Sequence, residues 1–467
     1  MKLKSLMLGS IAAAGLSTAG YAADLGVLTS LDVCDSLGIS GLTISSSDNC
    51  LVITGGVSYE FGYGEFRDES PVAATIDPRQ VAIGGVGEDW DSRVISWLKA
   101  VGSSSSDFGR ASATITLKSD YRFRTRGGVD LDGDGPGTAI GTTQTLAEDG
   151  QFFADEAFVQ VGDTTTIMAG KKGSIANLGD DAPFSYLGLF NSSSLDGGGV
   201  GIDADTDYLG GHVIQVVSSV ADGISVGVGF EALQLGEDFD DAYDEDSAGT
   251  LVGVVSYSGE GVTAHLTGAA FEVLSGDVDS WLIHAGATGT FDAFKVRAAV
   301  SYFNNSLIGV DTKHIGADIL NALVSGEATF DLFTIALSGE IQNVTDGPAA
   351  DFTDYGVGGS VGVGITEGVS INLGARYFQD GLADEDTYQV AAQVVAAVTE
   401  TIKVTGEIGG YFGEAIENNP DFSDDNIYYG AAELGWTPGG SFTSSLRGEV
   451  NSEDAYKVTF KAAKEFK

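Results

Sequence analysis

Several groups of residues in this 467-residue sequence have types and spacings that could do chemistry. Lys118, Arg122, Arg124 and Arg126 stand at even positions, so an extended strand would place all four on one face as a basic ladder. Facing a water-filled space across from acidic residues, such a ladder sets a transverse field that orients dipolar solutes and filters ions. Its plainer role would be to neutralise the wall it sits on. Asp130, Asp132, Asp134 and Gly135 match the front of a calcium loop, with carboxylates at alternate positions and glycine sixth. The twelfth position is Gly141 where a bidentate Glu is needed, so a solvated acidic loop outweighs a weak calcium site there. Gly358-Gly359-Ser360-Val361-Gly362 fits the nucleophile-elbow string, but that motif needs a strand-turn-helix bend and this one lies inside a glycine-rich strand. His212, His265, His284 and His314 are scattered with no metalloprotease spacing and read as ordinary strand residues. No catalytic triad, zinc centre or phosphate-cradling loop assembles, so the expectation is a protein that is not an enzyme and needs no cofactor beyond that weak calcium option.

Composition narrows the class. There are 67 Asp and Glu against 23 Lys and Arg, a net charge of −44. Counterion release from nucleic acid needs clustered cations, so nucleic-acid binding is excluded as a function. With 43% apolar residues and 67 glycines the chain has ample surface to bury or to present to lipid, and sheet is favoured over helix.

The first 23 residues read as a secretory signal peptide. Lys2 and Lys4 precede an apolar stretch from Leu6 to Leu16, and small residues end at Ala22 and Ala23 before Asp24. Gly15, Ser17, Thr18 and Gly20 break the apolar run too early for a membrane anchor. Cleavage after Ala23 would remove two lysines and no acid, leaving 21 bases against 67 acids and a net −46. Cys34 and Cys50 are the two cysteines, and in an oxidising compartment an even pair on a short loop most simply forms a disulfide. The competing reading is a metal site, for which two sulfurs without a nearby histidine are a poor ligand set.

The elements that must position these residues are strands. From Cys50 to Phe466 the apolar pattern has period two in segments of about ten residues broken by turns, the signature of a transmembrane barrel. Ala111, Ala113, Ile115, Leu117, Tyr121 and Phe123 alternate with Ser112, Thr114, Thr116, Lys118, Asp120 and Arg122. Phe294, Val296, Ala298, Val300 and Tyr302 alternate with Lys295, Arg297 and Ser301, and Val369, Ile371, Leu373, Ala375 and Tyr377 with Ser370, Asn372 and Arg376. Connections alternate between tight turns (221–223, 259–261, 292–293, 366–368, 437–440) and long acidic loops (62–89, 127–151, 173–208, 234–247, 413–425), as outer-membrane barrels require. Tyr59, Phe61, Tyr121, Phe123, Trp281, Tyr302, Tyr377, Tyr411, Tyr428, Tyr429 and Trp436 fall at strand ends, where interfacial girdles lie. Closing Ala455–Phe466 against Cys50–Phe61 gives about 20 strands, with 16 or 18 if a weak hairpin is misread. The domain reading is a signal peptide over 1–23, a disulfide loop over 24–49 and one barrel over 50–467.

The segment Val33-Cys34-Asp35-Ser36-Leu37-Gly38, followed by Cys50-Leu51-Val52-Ile53-Thr54-Gly55-Gly56-Val57-Ser58-Tyr59, resembles the start of the alphaproteobacterial general porin family. The rest of the chain is similar to that family in organisation more than in motif. The resemblance implies an outer-membrane homotrimer of water-filled barrels that passes small hydrophilic solutes, with the third loop folded inward as a constriction. On that reading loop 173–208 supplies the acidic side of the constriction through Asp180, Asp181, Asp196, Asp203, Asp205 and Asp207. Three features depart from the family pattern. Val52 and Ser58 stand where relatives often carry arginine, the strand count exceeds the usual 16, and Lys467 follows Phe466 where such barrels often end on the aromatic that barrel-assembly machinery reads, so either Phe466 is read one place in or that signal is weakened.

The expected function is therefore an all-β, up-and-down transmembrane barrel in the bacterial outer membrane, giving passive diffusion of small polar solutes and ions. The net −46 favours cations. The same acidity would suit divalent-cation bridging to lipopolysaccharide. The alternative is an exported acidic surface-layer or adhesin protein, ordered by calcium, in which a sandwich core hides the apolar stripes.

Overall fold

The computed structural model describes residues 34, 42–46, 48–66, 69–73, 81–85, 87–125, 151–189, 208–234, 249–274, 276, 278–307 and 314–467. The expectations for the signal peptide, for Asp130, Asp132 and Asp134, for Arg126, and for Asp196, Asp203, Asp205 and Asp207 concern residues outside these.

A short strand β1 (Thr43–Ser45) leads into β2 (Asn49–Glu65), β3 (Asp89–Ser106), β4 (Gly109–Thr125), β5 (Phe153–Val161), β6 (Thr165–Lys172) and β7 (Gly211–Ala221). Next come β8 (Ile224–Glu231), β9 (Thr250–Gly259), β10 (Val262–Ala270), β11 (Trp281–Phe291), β12 (Phe294–Asn304), β13 (Asp318–Phe330) and β14 (Phe333–Thr345). The chain ends with β15 (Phe352–Thr366), β16 (Val369–Asp380), β17 (Glu385–Ala397), β18 (Ile402–Phe412), a one-turn helix α1 (Glu414–Glu417), β19 (Ile427–Gly439), β20 (Phe442–Asn451) and β21 (Tyr456–Phe466). From β2 onward each strand pairs antiparallel with the next, and β21 returns to β2 with Gly55 opposite Phe466 and Glu65 opposite Tyr456. The result is a closed barrel of twenty strands, as the turn pattern predicts. β1 lies outside this ring and pairs only with β2, at Thr43 to Ser45 against Val52 to Cys50.

Closure leaves no sheet edge, so the ladder gives backbone N–H and C=O groups partners all the way round the ring. At one end the strands turn within two to four residues, as at 222–223, 260–261, 292–293 and 331–332, while the other end carries connections such as 66–88, 126–152 and 173–210. Gly261 sits at φ 71°, and an added Cβ would lie 2.7 Å from the Thr290 carbonyl oxygen, so the tight turn needs glycine there. Asp292 adopts a positive φ of 49° in the same kind of turn, a conformation that aspartate tolerates better than most residues.

The period-two split separates outside from inside as expected. On β14, Phe333, Ile335, Leu337 and Ile341 point out and are exposed, while Ala336, Ser338, Glu340, Gln342 and Val344 are buried on the inner side. The same phase puts Ile115, Leu117 and Tyr121 outside on β4 and Val296 and Val300 outside on β12. Two girdle assignments are corrected. Tyr411 and Tyr429 are buried, 0% and 5% exposed, and face inward, with ring centres 5.2 Å apart and planes tilted by 32°. Tyr428 and Tyr429 are consecutive, so one of them has to point into the barrel, and it is Tyr428 that reaches the outer surface.

Cys34 and Cys50 form the disulfide, tying the segment before β1 to the start of β2 across a separation of 16 residues. Reducing it, or making the C34S/C50S variant, should cost about 3 kcal/mol in the chain-entropy account. Urea unfolding of vesicle-inserted protein with and without reductant checks this, and coincident midpoints would contradict it.

Candidate functional site: the barrel interior

The third long connection is folded inward. Its described half, 173–189, runs across the inner wall from β8 to β16. Ile175 N donates to Glu231 Oε1 on β8 at 2.9 Å, and Asn177 N donates to Thr267 Oγ1 on β10 at 3.1 Å, with the Thr267 hydroxyl returning a bond to Asn177 O at 2.7 Å. Asp180 accepts from Thr263 on β10 at 3.0 Å and from Thr288 on β11. Ala182 O accepts from Arg297 Nη1 on β12 at 2.6 Å, and Phe184 N donates to Ser325 on β13 at 2.8 Å. Ser185 meets Ser338 on β14 at 2.9 Å, Tyr186 N donates to Ser360 on β15 at 2.9 Å, and Arg376 Nη1 on β16 donates to Gly188 O at 3.1 Å. From β8 to β16 is eight strand spacings, about 38 Å at roughly 4.8 Å each. Residues 175 to 188 could reach about 43 Å when extended at roughly 3.3 Å per residue; the segment bends at 180, 182 and 184–187, and the Glu231 and Arg376 side chains reach in to meet its ends.

The wall is chosen for this contact. A peptide segment lying in the interior must pair its N–H and C=O groups. The inward positions of β10 to β15 supply a hydroxyl on almost every strand: Thr263, Thr267, Thr288, Ser325, Ser338 and Ser360. Apolar residues flank this polar track. Ile175, Ala176 and Leu178 pack on a cluster that includes Val252, Phe271, Leu282, Phe303 and Ile319. Farther along, Leu187 joins Val72, Ala73 and Val81 of connection 66–88 with Tyr411, Ile427 and Tyr429. The phenolic oxygen of Tyr186 donates to Glu407, and burial together with that carboxylate holds its hydroxyl well above the usual tyrosine range. Glu231, wholly buried, ties the two roots of the connection together: besides Ile175 N it accepts Gly210 N at 2.8 Å and Gln215 Nε2 at 2.8 Å.

The remaining arc, β20–β21 and β2–β5, carries the charged inner face. Lys118, Arg122 and Arg124 lie on the inward phase of β4, as the alternation predicts, but carboxylates are interleaved with them. Arg122 Nε sits 3.0 Å from both oxygens of Asp91, and Arg93 Nε donates to Asp120 at 2.8 Å. Lys99 pairs with Glu156 at 2.8 Å, Lys461 with Glu60 at 2.9 Å and Arg447 with Glu449 at 2.8 Å. Of the ladder itself Arg122 is ion-paired, and it stands in an arc where other acids and bases of neighbouring strands pair with one another. Asp180 and Asp181 lie across the barrel on the segment fastened to β10–β12, and burial raises the Asp181 carboxyl above the usual range despite nearby Arg297.

Two residues read as ordinary strand histidines are brought together here. His265 of β10 and His284 of β11 meet edge to edge, with ring centres 5.1 Å apart, planes 8° from parallel, and Nε2 of His265 2.9 Å from Nδ1 of His284. Nδ1 of His265 lies 3.6 Å from Asp180 Oδ2. The signal was present in the sequence as two histidines on the inward phase of neighbouring strands, but using it requires the register, Thr267 opposite His284 and His265 opposite Gly286.

No protein-family model matches the chain, and no curated protein is similar to it in sequence. Among solved structures, the anion-selective porin from Comamonas acidovorans is similar at 10% identity and a TM-score of 0.39, covering 90% of this chain and 100% of that one. OmpT of Vibrio cholerae matches at 14% identity and 0.36, covering 91% and 100%. OccK11 (OpdR) of Pseudomonas aeruginosa matches at 10% identity and 0.42, covering 89% and 96%. Such distant likeness assigns neither family nor activity, and the barrel stands on the strand register itself.

Proposed function

We propose that the protein is an outer-membrane channel of the porin type, through which small hydrophilic solutes and ions diffuse passively with a preference for cations. The observation that carries this reading is the division of the interior. A closed twenty-strand wall, apolar outside, has segment 173–189 laid along one inner arc and a charged network along the other. Side chains cannot fill a barrel of this size, since barrels of about 16 to 18 strands already hold an aqueous channel. Water and solutes would pass between the loop and the charged arc. The ion pairs on that arc largely cancel, so the surplus of 67 acids over 23 bases falls elsewhere and makes the approaches negative.

The resemblance at Val33–Gly38 and Cys50–Tyr59 supports placing the chain with the alphaproteobacterial general porins, and with it a homotrimer in contact with lipopolysaccharide. On the same reading Asp180 and Asp181, with the acids farther along 173–208, form the negative side of the constriction. A water-exposed surface-layer protein would have to leave Leu337 and Ile408, each 68% exposed, in solvent along with the rest of the outer band.

Vesicles containing the refolded protein should swell in isotonic sugars at rates that fall steeply with sugar size. Equal rates for protein-loaded and empty vesicles would sink the reading. The D91N/D120N variant releases Arg122 and Arg93 from their carboxylates, so it should move the cation-to-anion permeability ratio toward anions by about two-fold. An unchanged reversal potential would mean that this arc does not face the conducting path.

A further inference from the structure

We propose that Asp180, His265 and His284 are a proton-sensitive latch that positions the inward loop, holding segment 179–183 against β10–β12 at neutral pH and letting it move into the lumen in acid. This rests on the channel reading above and adds a control to it.

The latch has three layers. His265 and His284 share one hydrogen bond of 2.9 Å between ring nitrogens, which needs a donor on one ring and an acceptor on the other. Asp180 stands beyond His265 at 3.6 Å and is itself held by the Thr263 and Thr288 hydroxyls. Both imidazoles are buried, His265 at 6% and His284 at 0% exposure, beneath the loop rather than in open water. The charged groups facing them are Asp180 and Asp181 from the loop and Arg297 from β12, which fastens Ala182 O.

The sign follows from counting protons. With both rings neutral, or with one proton held beside Asp180, the ring-to-ring hydrogen bond persists and the carboxylate attracts the pair. A second proton removes the only acceptor between the rings and sets two N–H groups of like-charged rings against each other, which close packing and low local dielectric make costly. Arg297 adds a third positive charge at the same place, and Asp181, already held toward its protonated form by burial, gives little compensation. The strain is relieved when the loop and Asp180 leave the wall and water enters. Contacts farther along, from Phe184 to Gly188, and the Glu231 root are not titrated by this step, so the moving part is short and stays tethered at both ends. The response needs the second proton, which burial and the first charge both oppose, so it falls on the acid side of the ordinary imidazole value of about 6.5.

The test is single-channel conductance of the full-length mature protein in planar bilayers from pH 7.5 to 5, beside the variants H265Q/H284Q and D180N. Glutamine keeps a neutral hydrogen-bonding pair and cannot take a proton. Wild type should lose conductance by about two-fold across this range, and H265Q/H284Q should stay flat. D180N, which keeps an acceptor for the threonines but loses the counter-charge, should move the midpoint to higher pH. Sheet content by circular dichroism confirms that each variant is folded, and D180N tests the idea even if the double variant does not assemble. A pH-independent wild type that conducts at pH 7.5 overturns the latch and leaves the channel intact. An acid response retained in H265Q/H284Q also overturns it, assigning the effect to wall carboxylates. No conductance at pH 7.5 overturns the channel reading and the latch with it.

Discussion

Leu337→Arg should destabilise the inserted barrel by about 2–4 kcal/mol, the cost of a cation on the lipid face near the bilayer midplane. Leu337 sits in the middle of the thirteen-residue β14, points outward and is 68% exposed. Had this face met water, the same substitution would be nearly neutral, within about 0.5 kcal/mol, and would improve solubility. The two environments therefore predict opposite outcomes for a single residue. An arginine at the outward Phe333, close to the tight turn, should cost at most about 1 kcal/mol, because the penalty falls toward the interface. Urea unfolding from lipid vesicles measures both, and a depth-independent cost would contradict a membrane-spanning wall.

Glu231→Ala should loosen the inward loop more than any other single change at the wall. One carboxylate receives N–H groups from Ile175 and Gly210, the two ends of the connection, and the Gln215 amide. Alanine leaves three buried donors without that acceptor, at about 1–3 kcal/mol for each that water cannot reach. The strands on either side retain their own ladders, so the barrel should still assemble while the loop opens and closes. The expected signs are open-channel current noise absent from the wild type and protease cleavage within 174–189. Glu231→Gln keeps one accepting oxygen and should fall between the two. A quiet, protease-resistant E231A channel would mean that the hydroxyl track alone holds the loop.

The barrel was legible in the sequence because its physics is local. Alternation on Ala111 to Phe123 needs only the period of a strand, and turns such as Asp292-Ala293 announce themselves by residue type. Long connections between short turns then fix the up-and-down order, and the count of twenty follows. What could not be read is whatever depends on register and on distance along the chain. His265 and His284 meet because β10 and β11 are offset by a particular number of residues, and Asp180 joins them only after the loop has crossed three strands. Glu231 looks like one more acid in a chain with 67 of them, yet it accepts from both ends of the inward connection. Arg122 shares its strand face with Lys118 and Arg124 by alternation alone, but its partner Asp91 belongs to another strand, so its compensation by a carboxylate was hidden. The hydroxyl track was present as one Ser or Thr per inward-facing strand, a pattern that gains meaning only when a peptide segment needs partners there.

The most direct test of the account is planar-bilayer conductance of the refolded, signal-free protein under a salt gradient, reading conductance and reversal potential together. The account predicts discrete steps, closing in threes for a trimer, with a reversal potential displaced toward cations. A folded, sheet-rich protein that inserts and passes no current would contradict it.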